Sequence, residues 1–305
     1  MRLKDINEFD LIRKLTAGAK GNKALIKGIG DDTAVIAYKK NNYLLFTTDI
    51  IIEGVHFDLK KAKAGQIGHK ALASNISDIA AMGGSPAYAV VSLGLPGKLR
   101  LDFAKSLYNG IKKTANCFSV KIVGGDVSAS EKLIINIALL GFAKKKNLTL
   151  RSGARAGDRI FVTGRLGGSG RKKHLTFKPR VKEALLLTSG YKINAMIDLS
   201  DGLISDLRHI VNESAAGACL YRKKIPLSKE ASGEESALYE GEDFELLFTL
   251  NEKEAGRLKE RGLKGSRLKL TEIGRVTEKD RGLTIVDEDG KEKKLSFGKG
   301  FRHFK

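Results

Sequence analysis

Cysteine is nearly absent. Cys117 and Cys219 are the only two in 305 residues, which excludes a disulfide framework and a CxxC metal site. Four prolines against 34 glycines mean few rigid linkers and many tight turns. No apolar run approaches the roughly 18 residues that cross a bilayer, and Met1-Arg2-Leu3-Lys4-Asp5 lacks the apolar core of a signal peptide. The expectation is a cytoplasmic chain with no membrane partner. Acidic residues are in deficit, 35 against 55 lysines and arginines, for a net charge of +20. That excess would suit a nucleic-acid binder, but it is spread along the chain, with only short clusters, as at 144–146, 171–173 and 291–294. Zinc-finger and RRM signatures are missing, and the clusters have little aromatic interleaving. The charge therefore implies weak attraction to polyanions and to phosphorylated small molecules, with no specific nucleic-acid partner. The catalytic signatures GxxxxGK[ST], HRDLxxxN with DFG, HExxH and the serine nucleophile elbow are missing as well.

What the chain does have is aspartate at the ends of apolar segments. Gly28-Ile29-Gly30-Asp31-Asp32 places two carboxylates after a glycine turn that leaves room for a ligand. The strand Val35-Ile36-Ala37 follows, and a second, Tyr43-Leu44-Leu45-Phe46, is expected to end in Thr47-Thr48-Asp49. These are hard oxygen donors of the kind that hold magnesium together with substrate phosphates; a solvated Asp-rich turn reads equally well from this stretch alone. An amphipathic helix is expected up to about residue 18, from the spacing of Phe9, Leu11, Ile12 and Leu15. The segment Glu53-Gly54-Val55-His56-Phe57 reads as extended or loop. Residues 66–82 read as a helix stopped by Gly83-Gly84 and Pro86. Asp78 lies late in it among Ile76 and Ile79, where burial and the helix dipole both disfavour a carboxylate. A bound cation would relieve both; an exposed outer face is the alternative. A strand at 87–95, a helix at 101–118 and a strand at 120–123 follow, the last running into what reads as another glycine turn with a carboxylate, Gly124-Gly125-Asp126. The strand at 133–142 closes the first half.

Composition turns polar and basic around 144–150, which puts a domain boundary there: 1–146 and 147–305. In the second half, Leu166-Gly167-Gly168-Ser169-Gly170 reads either as a phosphate-cradling loop or as a plain linker. A strand at 194–197 leads into Asp198-Leu199-Ser200-Asp201-Gly202-Leu203 and a helix to about 214. There Asp198 and Ser200 are candidate helix caps, though capping does not account for Asp201 and Asp206 as well. Glu240-Gly241-Glu242-Asp243 precedes a strand at 244–250, and the chain ends in a basic, aromatic tail at 298–304. Strands and helices mix without regular βαβ alternation, so the expected class is α+β with two domains. Gathering Asp32, Asp49, Asp78, Asp126, Asp198 and Asp201 in one place requires cations, and multi-metal sites of this kind serve ATP-dependent phosphoryl transfer.

Eight stretches in order carry a resemblance: GIGDD at 28–32, TTD at 47–49, EGVHF at 53–57, KALASNISDIAAMG at 70–83, GGD at 124–126, LRSGA at 150–154, DLSDGLISDL at 198–207 and GEDFELLF at 241–248. With them the chain resembles the thiamine-monophosphate kinases, a family of the aminoimidazole-ribonucleotide-synthetase-like ATP-binding superfamily. The resemblance implies transfer of the ATP γ-phosphate to thiamine monophosphate by direct in-line attack. It implies a homodimer that joins its N-terminal mixed sheets, each with helices on one face, and a C-terminal α+β domain that completes the site. It implies magnesium ligands at Asp32, Thr47, Asp49, Asp78, Asp126, Asp198 and Asp201. Thr48, Tyr108, Gly125, Asp126, Arg151 and Ser200 would contact ATP, and His56, Glu242 and Phe301 the thiamine substrate, with no covalent nucleophile. The chain departs from the pattern in a shortened segment after Gly164 and in Glu240, which replaces the first glycine of the usual GGED. Alternatives are another ATP-dependent enzyme of the superfamily, such as a formylglycinamidine-ribonucleotide cyclase, or a basic nucleic-acid-binding protein.

Overall fold

Eleven residues, Asn42–Ile52, whose burial alternates from Leu45 to Ile51, make the strand that anchors the first half of the molecule. The computed structural model describes residues 2, 3, 6, 8–19, 21–171 and 173–295. The chain opens with α1 (Glu8–Leu15), β1 (Leu25–Lys27), β2 (Ala34–Lys39) and that strand, β3 (Asn42–Ile52). Next come α2 (Ala64–Ala81), β4 (Ser85–Leu95), α3 (Leu101–Cys117), β5 (Lys121–Ala129) and β6 (Ile134–Lys144). Among the described residues these strands form one sheet in the order β1-β2-β3-β6-β4-β5. It is mixed, because β4 and β5 run parallel while the other pairs are antiparallel.

The second half holds β7 (Arg159–Thr163), α4 (Val181–Gly190), β8 (Ala195–Asp198), α5 (Leu203–Glu213), β9 (Gly217–Tyr221), α6 (Glu234–Tyr239), β10 (Leu246–Leu250), α7 (Glu252–Arg261), β11 (Leu270–Thr277), β12 (Leu283–Val286) and β13 (Glu292–Lys294). Its strands order as β13-β12-β9-β11-β7-β10-β8, with only β9 and β12 parallel among the described pairs. The molecule is α+β. No helix among the described residues is long and apolar enough to cross a membrane.

Helix α2 joins the two halves. Ile67, Leu72, Ile76 and Ile79 are fully buried and pack with Leu45, Val91, Ile135, Ile137 and Leu139 of the first sheet. Each such side chain contributes about 1.5–3 kcal/mol of transfer free energy. Its last turn, Ala80 and Ala81, enters the core of the second half beside Phe161, Ala184, Leu187, Met196 and Leu246. Because α2 is buried nearly all round, its few polar side chains must find partners inside the protein.

Among the described residues, nothing covers the other face of the first sheet. Phe46 and Ile50 on β3 and Tyr88 and Val90 on β4 are each at least 40% exposed there.

Three local expectations are corrected. Thr47-Thr48-Asp49 does not end a strand; β3 runs through it, paired with β6 from Asn42 to Ile52. Gly124-Gly125 is not a turn either. Both lie within β5, where a Cβ on Gly125 would stand 2.0 Å from the Val91 carbonyl oxygen, so the glycine serves close approach to β4. The stretch 166–170 is neither an exposed linker nor an open cradle. Leu166, Gly167, Gly168 and Ser169 are buried; the Leu166 N–H donates to the Pro226 carbonyl, and the Gly167 and Gly168 N–H groups and the Ser169 hydroxyl donate to carboxylates of the same chain.

Candidate metal and nucleotide site

Three carboxylates from separate elements meet at the junction of the halves. Asp32 comes from the turn before β2, Asp78 from α2 and Asp198 from the end of β8, and one oxygen of each lies within 4.8 Å of the others. Period-2 alternation in β3 turns Thr47 and Asp49 toward α2. The Thr47 hydroxyl donates to Asp78 Oδ2 at 2.6 Å. Asn75 Oδ1 accepts from the Asp49 backbone N–H at 3.1 Å. Ser77 Oγ donates to Asp198 Oδ2 at 2.5 Å across the interdomain boundary.

The electrostatics follow from crowding like charges away from water. Burial, then the charges of Asp49, Asp198 and Asp32, hold the Asp78 carboxyl well above the usual range, against the Thr47 hydrogen bond. Asp198 is pushed up to about 8 by burial and by Asp32 and Asp49, against Ser77 and Arg151. Asp49 is raised by burial and by Asp201 and Asp32, with Ser74 opposing. Asp32 is raised by burial although Arg151 pulls the other way. The Arg151 guanidinium donates to Asp32 Oδ1 at 2.7 Å through one terminal nitrogen. Asp32 Oδ2 is buried with no hydrogen-bond partner among the described residues. A buried carboxylate oxygen without a partner beside two further carboxylates could seat a cation, and an all-oxygen donor set suits magnesium.

The sequence pattern anticipated Asp32, Asp49, Asp78, Asp198 and Thr47, and the structure brings them together, with Asp201 close enough to raise Asp49. It does not bring Asp126. With the glycines inside β5, Asp126 stays exposed on the sheet edge in register with Ser92, three strands from β3. Three strand spacings are about 14 Å. Gly125 beside it is exposed too, and Tyr108, half-buried on α3, packs against the first core. Thr48 alternates to the uncovered face, where its hydroxyl accepts from Asn136 Nδ2 at 3.0 Å. The cap expected of Asp198 or Ser200 is made otherwise: Gly202 precedes α5, and Asp206 in its first turn accepts from the N–H groups of Asp201 and Gly202, both at 3.1 Å. Ser200 accepts from the Glu242 N–H at 2.7 Å through its carbonyl, tying the Asp198 loop to the Glu242 loop. His56 Nδ1 accepts from the Ile52 N–H at 3.0 Å. Phe301 lies outside the described residues.

Some working residues were missed. Asp31 accepts the Arg151 backbone N–H at 3.2 Å, and burial with the Asp32 charge raises it to about 7. Lys70, a charged residue opening a stretch otherwise rich in Ala and Ile, was the legible sign of a buried ion pair. Glu240, one of the departures from the family pattern, accepts the Gly168 N–H at 3.0 Å. The anion-binding geometry of the glycine stretch is thus filled by the protein's own Glu240 and Asp243.

The model of AIR synthase related protein, N-terminal domain, matches residues 30–143, and that of the C-terminal domain matches 141–287. A thiamine-monophosphate kinase of Buchnera aphidicola subsp. Schizaphis graminum is 37% identical, covering 98% of this chain and 99% of its own. The Bacillus subtilis thiamine-monophosphate kinase is 34% identical over 98% of this chain and all of its own. The solved structure of AaThiL complexed with AMPPCP and TMP superposes with a TM-score of 0.83 at 34% identity, covering 100% of this chain and 99% of that one.

Proposed function

The chain belongs to the thiamine-monophosphate kinases of the AIR synthase related family, and from that premise we propose that it phosphorylates thiamine monophosphate with ATP, giving thiamine diphosphate and ADP. The observation that carries the reading is the Asp32–Asp78–Asp198 convergence, with its orphaned oxygen, built from both halves of the chain. Asp32, Thr47, Asp49, Asp78, Asp198 and Asp201 would hold magnesium, which supplies charge neutralisation to the phosphates in transfer.

The protein's own groups fix the geometry of that seat. Ser77 and Thr47 each hold one oxygen of a carboxylate and leave the other for a ligand. Asn75 and Asn136 hold the Asp49 backbone from both sides of β3. Arg151 keeps a positive charge beside Asp32 and would contact the nucleotide, with Ser200. Thr48, Tyr108, Gly125 and Asp126 would meet the remainder of the nucleotide from the sheet and its edge. His56, Glu242 and Phe301 would face the thiamine part, where a carboxylate and an aromatic ring suit a flat cation. Transfer would then proceed by direct in-line attack of the substrate phosphate, without a covalent nucleophile on the protein.

The domain boundary belongs at 146/147, between β6 and β7. The uncovered apolar face of the first sheet supports a homodimer joined through it. ATP as co-substrate supports a cytoplasmic location. The test is incubation of the purified protein with ATP, magnesium and thiamine monophosphate. Stoichiometric thiamine diphosphate and ADP are expected; ADP without thiamine diphosphate, or no turnover, rejects the assignment.

A further inference from the structure

Lys70 stands on α2 eight residues before Asp78, and it is 1% exposed. An ammonium has three donors, and here each has an acceptor from a different segment. The His56 carbonyl, in the turn after β3, lies 2.7 Å away. His174 Nδ1, in the short turn Lys173–Leu175, lies 2.9 Å away. The third partner is the Glu242 carboxylate, in an ion pair. The other Glu242 oxygen is 3.0 Å from the same His174 nitrogen. With its proton on Nε2, His174 accepts from Lys70; with it on Nδ1, it donates to Glu242. Either way the ring is lodged between them.

The Glu242 loop needs such an anchor. Glu242 sits at φ +67° and Phe244 at φ +50°, left-handed backbone that is unfavourable for a residue with a side chain and persists only when its surroundings hold it. Packing alone would be served by leucine or methionine, and burying an ammonium is unfavourable unless it is fully paired. Burial pulls the lysine's pKa down against the Glu242 charge, while Glu242, despite its own burial, is held low by His174 and Lys70. Glu242 keeps 31% of its side chain exposed, so the anchored carboxylate still has an open edge.

We propose that Lys70 is a positioning residue for substrate recognition. Its ammonium fixes Glu242 and the His56 turn in the arrangement that receives the cationic heterocycle of thiamine monophosphate. The same helix carries Asp78, so α2 also sets the spacing between recognition and phosphoryl transfer. Eight helical residues span about 12 Å. The inference rests on the kinase reading above.

The test compares Lys70→Met and Lys70→Gln with the wild type in steady-state kinetics, varying each substrate in turn. Binding of a non-hydrolysable ATP analogue serves as the folding control. The KM for thiamine monophosphate should rise about tenfold or more while that for ATP stays within about twofold. Glu242→Gln should behave likewise, and the double variant Lys70→Met/Glu242→Gln should be no worse than the weaker single variant, because one acts through the other. A KM for thiamine monophosphate within about twofold of wild type overturns the inference, as does a parallel rise in both KM values or a multiplicative double variant. Failure of both single variants to bind the analogue makes Lys70 a determinant of folding and overturns it too. A wild type without turnover rejects the kinase reading and this inference together; a wild type that turns over beside unaffected variants rejects this inference alone.

Discussion

Arg151 grips one oxygen of Asp32 and leaves the other without a partner among the described residues. The pair spans the boundary between the halves, since Asp32 precedes β2 and Arg151 follows β6. Asp31 next door accepts the Arg151 backbone N–H, so the two adjacent aspartates clasp one residue by its main chain and its side chain. The clasp keeps Asp32 aimed at Asp78 and Asp198 without neutralising the group as a whole.

Arg151→Met should therefore damage catalysis more than folding. Removing one partner of a buried ion pair costs about 3–5 kcal/mol when the remaining charge cannot escape. Asp32, whose carboxyl is already raised by burial, escapes by taking a proton. The expected result is a fall in kcat/KM for ATP of about a hundredfold, with a loss of Tm that magnesium reduces. Steady-state kinetics and thermal denaturation check both. An unchanged kcat/KM would remove Arg151 from the site.

The raised carboxylates make stability depend on pH in a definite direction. Asp198 titrates near 8 in the folded chain against an ordinary value of 3.8. Between those values the native state keeps a proton that the unfolded chain has lost, so this contribution is full below about pH 4 and fades as pH rises through 8. Asp31, raised to about 7, acts in the same sense over a narrower window. Magnesium needs the ionised carboxylates and competes with those protons. In chelator, Tm should fall between pH 6 and pH 8.5. Added magnesium should raise Tm more at pH 8.5 than at pH 6, and a magnesium effect equal at both values would contradict the metal assignment.

Asp78→Asn separates stability from function. Asp78 carries the charges of three neighbouring aspartates and the burial of its own carboxyl. An amide removes that repulsion and can still accept from Thr47, so the metal-free variant should be as stable as the wild type or more so at pH 8. A gain of about 1 kcal/mol would appear as roughly 2–4 °C in Tm for a domain of this size. Turnover should fall by about a thousandfold, since one ligand to the ion facing the phosphates is gone. Retained turnover would refute the role of Asp78 as a ligand.

How far these groups could be foreseen depended on whether their placement is local. Asp78 among isoleucines at the end of a helix is an anomaly visible along a few residues, and so is Asp32 after its glycine turn. The orientation of Thr48 is not local. It depends on β3 continuing to Ile52, which pairing with β6, some ninety residues away in sequence, decides. Asp126 was misread for the same reason, since Gly124-Gly125 looks like a turn until the Val91 carbonyl behind it is known. Asp206 as a cap, and Glu240 and Asp243 filling the glycine stretch, depend on tertiary contacts for which the sequence has no periodic sign.

The open face of the first sheet gives a test of assembly. Phe46, Ile50, Tyr88 and Val90 are at least 40% exposed on β3 and β4, the strands on either side of β6 in one sheet. Contiguous apolar surface of this kind on a sheet face marks an interface. Light scattering should give the wild type about twice the 33.2 kDa mass of one chain. Ile50→Glu/Val90→Glu should give one chain's mass, because two carboxylates on each face would have to be buried against the same pair on a second copy. Folding should survive, since both side chains already face outward in the single chain, and an unchanged circular dichroism spectrum checks this. Thr48 shares that face, hydrogen-bonded to Asn136, so a Thr48 contact to nucleotide predicts that the monomeric variant also loses affinity for ATP. A wild type that stays monomeric at micromolar concentration would sink the sheet-to-sheet dimer, and a monomeric variant with unchanged ATP affinity would detach Thr48 from the nucleotide site.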